Sequence, residues 1–448
     1  MCYFWQVTFC YDILMSYLNE SRGIRQSIIN ISGSLFASGF AAISLMILSR
    51  YLGPTYFGQF STAFALSLIL VRVGDLGLSI ATTKLLPGAE DNKKQLLLTL
   101  ITRYRLALAG IILVLGLIFS QLLPQYLLSE NSSLILLAFI VSVATALFEH
   151  SQFTLQANHK FLQSAFINFS QGLTKLIVVV IAFLIGSQNL IPVKSLVLLT
   201  FLFYMLAPVV PVLLTLMIKP QLLNWKTRIS NQFSKEDISA QNIQLWSLIK
   251  HASFGIISAG IIENADILFV QSYLDDYQAG LLGGVTRIAL LLYIVGYALG
   301  NVLNPRVAKY KLKSDLLSFW KKSWLVFVCC VLGFVLSMFI TEPLIIYTIG
   351  PDYLEALPTL RILLAAGFST IALMPYIAFF YSFNLSWYFS VSGIIQLIIV
   401  LLGNVWLVPS MGIEGAAWTR LFSRLILLII TLFLARQQLQ KSISNEIT

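Results

Sequence analysis

Stretches of about twenty mostly apolar residues recur along the chain, at 29–48, 60–80, 106–123, 134–153, 166–186 and 196–217, and again at 252–274, 281–302, 325–346, 360–380, 388–408 and 416–434. A helix rises ~1.5 Å per residue, so about 20 apolar residues cross the ~30 Å hydrocarbon core of a bilayer. Backbone amides in lipid must be satisfied within a helix or a closed barrel, and these runs are about twice the length of a barrel strand. The sequence therefore predicts an all-α polytopic membrane protein with about twelve transmembrane helices, six on each side of a polar stretch. Composition supports this. Of 448 residues, 58% are hydrophobic and only 11% charged, whereas soluble domains carry about 25% charged residues. A soluble enzyme is excluded.

The net charge of +10 raises nucleic acid as a partner, but its distribution points elsewhere. With the N-terminus cytoplasmic, the inner segments collect the basic clusters around Lys93, Lys94, Lys226, Arg228, Lys309, Lys311 and Lys321, whereas the outer segments hold only Arg50, Lys194 and Arg361. Such a bias sets membrane orientation, so both termini are expected in the cytoplasm and the protein in the inner (plasma) membrane. The basic excess then faces lipid head groups and no nucleic acid.

The organisation read from this pattern is an N-terminal extension at 1–26, a six-helix bundle at 27–218, a cytoplasmic linker at 219–249, a second six-helix bundle at 250–436 and a cytoplasmic tail at 437–448. The extension makes a poor signal peptide, having no Lys or Arg before Arg22, and Met15 is an alternative start. Trp225 and Trp246 sit in the linker like interfacial anchors. The mixed basic and apolar stretch 305–324 reads either as a helix lying on the inner leaflet or as a solvated loop. Cys2, Cys10, Cys329 and Cys330 fit no disulfide framework, and His150, His159 and His251 have no zinc-ligand spacing, so no metal is expected. Without a Gly-Lys dipeptide there is no phosphate-cradling nucleotide loop.

A shift of 222 residues lays Tyr51, Leu52 and Gly58 over Tyr273, Leu274 and Gly280, at the turn between the first and second helix of each half, and Gly74 over Gly296. Six is an even number, so the two bundles run in the same direction, related by a pseudo-twofold axis along the membrane normal. A substrate path would lie between them.

Several motifs are family-like. Leu52-Gly53-Pro54 with Tyr56-Phe57-Gly58, then Asp75-Leu76-Gly77-Leu78, resembles the opening of the polysaccharide-transport (O-antigen) flippases. Gly350-Pro351-Asp352-Tyr353-Leu354-Glu355-Ala356 with Leu360-Arg361-Ile362-Leu363 resembles that family's outer turn before the tenth helix, and Gly412-Ile413-Glu414-Gly415-Ala416-Ala417 the start of its twelfth. The resemblance implies the fold of the multidrug, oligosaccharidyl-lipid and polysaccharide exporter superfamily, with two bundles around a cavity that opens alternately to each side. It also implies a polyprenyl-pyrophosphate-linked oligosaccharide as substrate. The Asp275-Asp276 pair, where the first half has Gly53-Pro54, departs from the pattern.

Five cations fall within spans, Arg72, Lys175, Arg287, Arg420 and Arg424, each costing about 2.5–3.5 kcal/mol at a helix centre on the insertion scale. A pyrophosphate crossing a low-dielectric core would be offset by such cations lining a cavity. Arg72 is also placed to pair with Asp75 one turn on, and Arg424 to snorkel toward the cytoplasmic end. Glu263 and Asp266, three apart on the seventh helix, are candidates to carry a coupling proton or Na⁺, or to pair with Arg287; a carboxylate matching Asp266 is common in the resembling family. Glu149 and His150, at the inner end of the fourth helix, read as head-group contacts. Tyr293, Tyr297, Tyr376, Tyr381 and Trp418 are candidates for stacking on sugar rings or for ordinary helix packing.

The reading is a flippase, not an enzyme, needing no cofactor beyond a coupling H⁺ or Na⁺ gradient. Its partners are the lipid-linked oligosaccharide, membrane lipids and other polysaccharide assembly proteins. One rival is a cation-coupled multidrug exporter of the same superfamily, which would favour an acidic cavity. The other is a membrane glycosyltransferase or polymerase, which would need a larger outer loop bearing paired carboxylates.

Overall fold

The structure, a computed structural model, describes residues 22–122, 132–188, 191–218, 233–307, 310, 313–383 and 387–444. Residues 1–21 of the N-terminal extension, with Cys2, Cys10 and Met15, and Trp225 of the linker lie outside these residues. The helices are α1 (Arg22–Asp75), α2 (Leu78–Leu85), α3 (Asp91–Leu122), α4 (Ser132–Ala157), α5 (Phe161–Ser187), α6 (Val193–Leu206), α7 (Val209–Ile218), α8 (Lys235–Tyr273), α9 (Asp276–Val307), α10 (Lys313–Thr348), α11 (Leu357–Ser382) and α12 (Trp387–Ser444), with a 3₁₀ turn at Pro351–Ala356.

α1 and α12 are too long for one crossing, and each breaks at a glycine in the left-handed region, Gly53 (φ 69°) and Gly412 (φ 61°). Side-chain contacts show that both fold back on themselves. Ser44 Oγ donates to the Tyr204 hydroxyl at 3.4 Å and the Phe64 ring meets the same tyrosine, 6.1 Å between centroids, yet these positions would stand ~30 Å apart along a straight helix. Arg424 likewise donates to Gln396 across the α12 break, at 2.9 Å. Among the described residues nine helices are long and apolar enough to span. Dividing α1 and α12 at their glycines and joining α6 to α7 across a 44° bend brings the spans to twelve. An odd count would split the ends; twelve puts both on one face, here the terminal face, with the far face opposite.

Phe36, Leu117, Phe166, Met217, Phe339, Trp406 and Phe433 point outward and exposed, the apolar surface that a bilayer covers. Inside, one core joins α1, α4, α5 and α6 around Phe57, Phe60, Phe201 and Tyr204. Its counterpart joins α8, α9, α11 and α12 around Leu282, Val285, Tyr353 and Leu363. The repeat seen at a shift of 222 has a direct structural expression. A Cβ on Gly58 would collide with the Asp276 carbonyl and stand 2.9 Å from the Gly280 nitrogen; a Cβ on Gly280 would collide with the Pro54 carbonyl and stand 3.0 Å from the Gly58 nitrogen. Pro54 and Asp276 are 222 apart as well. Two equivalent residues that touch each other reciprocally lie on the symmetry axis, and only glycine allows backbones that close.

Three local readings change. Lys235–Lys250, read as linker, forms the first turns of α8 and continues without a break into the seventh span; a Ser234/Asp237 capping box starts it. Its Leu245 and Ile249 are buried against Leu78, Leu97 and Ile101. The stretch 305–324 is neither a leaflet helix nor a free loop where it is described. Leu316 and Phe319 are buried and Trp320 meets Tyr376 and Phe379, so its apolar side faces protein as the start of α10. Trp246 is exposed but donates its ring N–H to Tyr104 at 3.2 Å.

Candidate functional site

Helical periodicity on the first limb of α1 places Ser38, Ala41, Ala42 and Leu45 on one face, opposite the outward Leu35, Phe36 and Ile43. That face borders a cavity of about 270 Å³ between the halves, also lined by Phe64 and Leu68 of α1, Lys175 of α5 and Tyr204 of α6. The second half contributes Glu263 and Asn264 of α8, Thr286, Arg287, Tyr293 and Tyr297 of α9, and Arg420 and Arg424 of α12. Four of the five span cations therefore share one space.

Each cation is held differently. The Lys175 ammonium lies over the Tyr204 ring at 5.0 Å and the Arg287 guanidinium over the Phe64 ring at 5.1 Å, contacts that attract a cation without neutralising it. Among the described residues neither has a carboxylate within salt-bridge range, and Arg287 Nε is buried with no hydrogen-bond partner. Arg424 rests over Tyr293 at 5.7 Å and donates to Gln396. Arg420 donates from Nε to Asp266 Oδ2 at 2.7 Å and from Nη2 to the Glu263 carbonyl at 3.0 Å. The four cations thus face two acids, Glu263 and Asp266. The surplus positive charge suits an anion.

The partner expected for the seventh-helix acids was Arg287; Arg420 takes that place. Asp266 is 2% exposed, and its other oxygen accepts from Asn404 at 3.2 Å. Glu263 stays on the cavity surface and accepts from the Tyr297 hydroxyl at 3.3 Å.

Four candidates lie outside the cavity lining, Asp266 behind Arg420 being one of them. Arg72 turns to Glu149 at 3.1 Å instead of to Asp75, because Asp75 is taken by Arg105 at 2.5 Å, both side chains 1% exposed. Tyr376 is buried among Trp320, Phe379 and their neighbours, and Trp418 stacks on Phe422, so both side chains pack between helices. Tyr381 has a side chain outside the described ones. Glu149 and His150 are not head-group contacts, since the first pairs with Arg72 and the second is 1% exposed and meets Thr102 Oγ1 at 3.0 Å. Sequence reading missed Arg105, one residue before the apolar run 106–123, and Tyr204 and Asn404, which no local pattern sets apart from ordinary span residues.

Toward the far face the lining stops at Leu45, Phe64 and Thr286, where the halves close. Tyr353 donates to the Ser49 carbonyl at 2.9 Å and Arg50 to the Tyr347 carbonyl at 2.9 Å. The Asp276 carboxylate joins Gln59 of the first half (2.8 Å) to Gln271 of the second (2.5 Å). Its neighbour Asp275 accepts from the Gln278 N–H at 2.8 Å, capping α9. The aspartate pair that departs from the family motif thus caps a helix and seals a face.

Residues 24–228 match the family model described as polysaccharide biosynthesis protein. No curated protein matches the sequence. Among solved structures, the chain is similar to a lipid II flippase MurJ in an inward closed conformation, at 14% identity and a TM-score of 0.70, covering 94% of this chain and 91% of that one. It is similar to an inward-facing multidrug resistance MATE transporter of the MOP superfamily at 13% identity and a TM-score of 0.63, covering 94% and 96%. It is also similar to an outward-facing MATE structure, at 12% identity and a TM-score of 0.54 over the same shares. The N-terminal part of the chain thus resembles the polysaccharide biosynthesis protein family, and over 94% of its length the chain shares the fold of the MurJ and MATE structures.

Proposed function

We propose that the protein is an alternating-access flippase that carries a polyprenyl-pyrophosphate-linked oligosaccharide from the cytoplasmic to the outer leaflet, for surface polysaccharide assembly. The observation that carries this reading is the meeting of Lys175, Arg287, Arg420 and Arg424 from both halves in one cavity, with two acids among them. Pyrophosphate is a compact multivalent anion, and guanidinium and ammonium groups already desolvated by the protein offset its transfer from water. A multidrug exporter of cations would gain nothing from this surplus.

On this reading the terminal face is cytoplasmic, as the charge bias indicates, and the far-face seal is the closed outer gate. The head group enters from the cytoplasmic side while the prenyl tail stays in lipid. Its phosphates compete with Asp266 for Arg420, and an Asp266 released from that pair takes up a proton or Na⁺ in its place. Coupling of this kind supplies the differential interaction that a shift between two states requires. Transfer is measured in proteoliposomes loaded with the lipid-linked oligosaccharide in one leaflet. Arg287→Glu and Lys175→Glu are expected to abolish leaflet transfer while leaving folded protein in the membrane; full transfer by both variants would sink the cavity assignment.

A further inference from the structure

The cavity continues into a second compartment of about 270 Å³, and its lining is of another kind. α1 presents Ser34 and Ser38, one turn apart. α5 presents Asn168, Gln171 and Lys175 at i, i+3 and i+7, and α4 adds Gln152. The opposite face of α5, with Phe166, Phe169, Leu173 and Ile177, is exposed to lipid. Lys175 lines both compartments. Beyond it the second contains no charge and no aromatic ring, only hydroxyls, amides, glycine and alanine.

These polar groups are barely used by the protein. The Asn168 amide reaches Ser34 Oγ only at 3.5 Å, and the Gln152 and Gln171 amides make no hydrogen bond among the described residues. An amide offers two donors and two acceptor sites in a fixed plane. Inside a bilayer-spanning bundle such groups need water or a ligand, since leaving them bare costs free energy. Nothing in the compartment would hold a phosphate except Lys175 at its edge.

We propose that this N-half compartment is the sugar-binding subsite, in which Gln152, Asn168 and Gln171 exchange hydrogen bonds with the hydroxyl and acetamido groups of the first uncharged sugars, while Lys175 marks the boundary with the pyrophosphate in the cationic compartment. The inference rests on the proposed lipid-linked substrate and adds a division of labour. The cations read the carrier and the amides read the cargo. Neutral amides and hydroxyls match hydroxylated rings by geometry without demanding a charged sugar, and Gly172, against which the Ala37 backbone packs too closely for a Cβ, holds α5 on α1 at the compartment's wall.

The test measures binding of two probes to the full-length protein in nanodiscs, a bare polyprenyl pyrophosphate and the same lipid bearing an uncharged oligosaccharide. Wild type is expected to bind the glycosylated probe more tightly. Gln152→Leu combined with Gln171→Leu should weaken that probe about tenfold, the loss expected for a few hydrogen bonds, and leave the bare lipid within about twofold. Retained binding of the bare lipid also reports that the variant is folded, and Gln171→Asn, which keeps the amide, should give an intermediate loss. Arg287→Ala should weaken both probes equally. An unchanged affinity for the glycosylated probe, or an equal fall for both probes in the glutamine variant, overturns the subsite. Equal binding of both probes by wild type overturns the subsite and leaves the flippase reading standing, whereas binding of neither overturns both.

Discussion

Two arginine–aspartate pairs lie among the spans, alike in chemistry and unlike in surroundings. Arg105 and Asp75 are both 1% exposed; Arg105 also donates to the Ala146 carbonyl at 2.7 Å and to Ser79 at 3.1 Å, and Asp75 accepts the Ser79 backbone N–H and hydroxyl. Arg420 and Asp266 have side chains 13% and 3% exposed, and Arg420 borders the cavity. The first pair ties the terminal ends of α1 and α3 to α4 and has nowhere else to go. The second joins α8 to α12 where one member, Arg420, borders the cavity. Partner and distance are nearly the same, so the difference in role comes from what each pair faces.

The largest effect should come from breaking the enclosed pair. Asp75→Ala strands a guanidinium with no access to water, expected to cost about 3–5 kcal/mol; thermal unfolding in detergent should show a sharp loss of folded protein. Replacing both partners, Asp75→Leu with Arg105→Met, should recover most of it, because two apolar groups leave no charge behind. At the cavity pair, Asp266→Ala should cost only about 1–2 kcal/mol, since Arg420 borders the cavity and can turn into it, and should raise affinity for a polyprenyl pyrophosphate several-fold by removing its competitor. Equal destabilisation by Asp75→Ala and Asp266→Ala would erase the distinction. The smallest effect is a ligand shift. Inorganic pyrophosphate at about ten times its Kd should raise the melting temperature by about 2 °C; the rise should be reduced in Arg420→Ala and undiminished in a protein carrying Asp75→Leu with Arg105→Met.

Much of the architecture is legible in the chain because lipid imposes a one-dimensional rule. An apolar run of the right length becomes a span wherever it sits, and Gly53 and Gly412 turn two continuous helices back where the apolar runs pause. The repeat is legible for a related reason. Only glycine permits the contact at Gly58 and Gly280, so the two halves keep the same residue at the same place. The cavity was partly legible, since charges inside spans are costly and few; four of the five meet there. Asn168, Gln171 and Lys175 also lie on one helical face in the sequence, although nothing there says that Ser34 and Gln152 stand opposite.

Which charge meets which could not be read from spacing. Arg72 has Asp75 one turn away, yet it pairs with Glu149, 77 positions on, while Asp75 takes Arg105, 30 positions on. Asp266 finds Arg420, 154 positions away. A helix offers its neighbours three and four residues on at high local concentration, but in water that advantage is worth only a few tenths of a kcal/mol. A buried charge left unpaired costs several times more. The sequence by itself therefore determined which residues cross the membrane and that the crossing repeats, because burial in lipid is a property of each segment alone. Tertiary structure decided the partners, and with them which arginine is enclosed and which borders the cavity, because pairing energy goes to the groups that folding brings together.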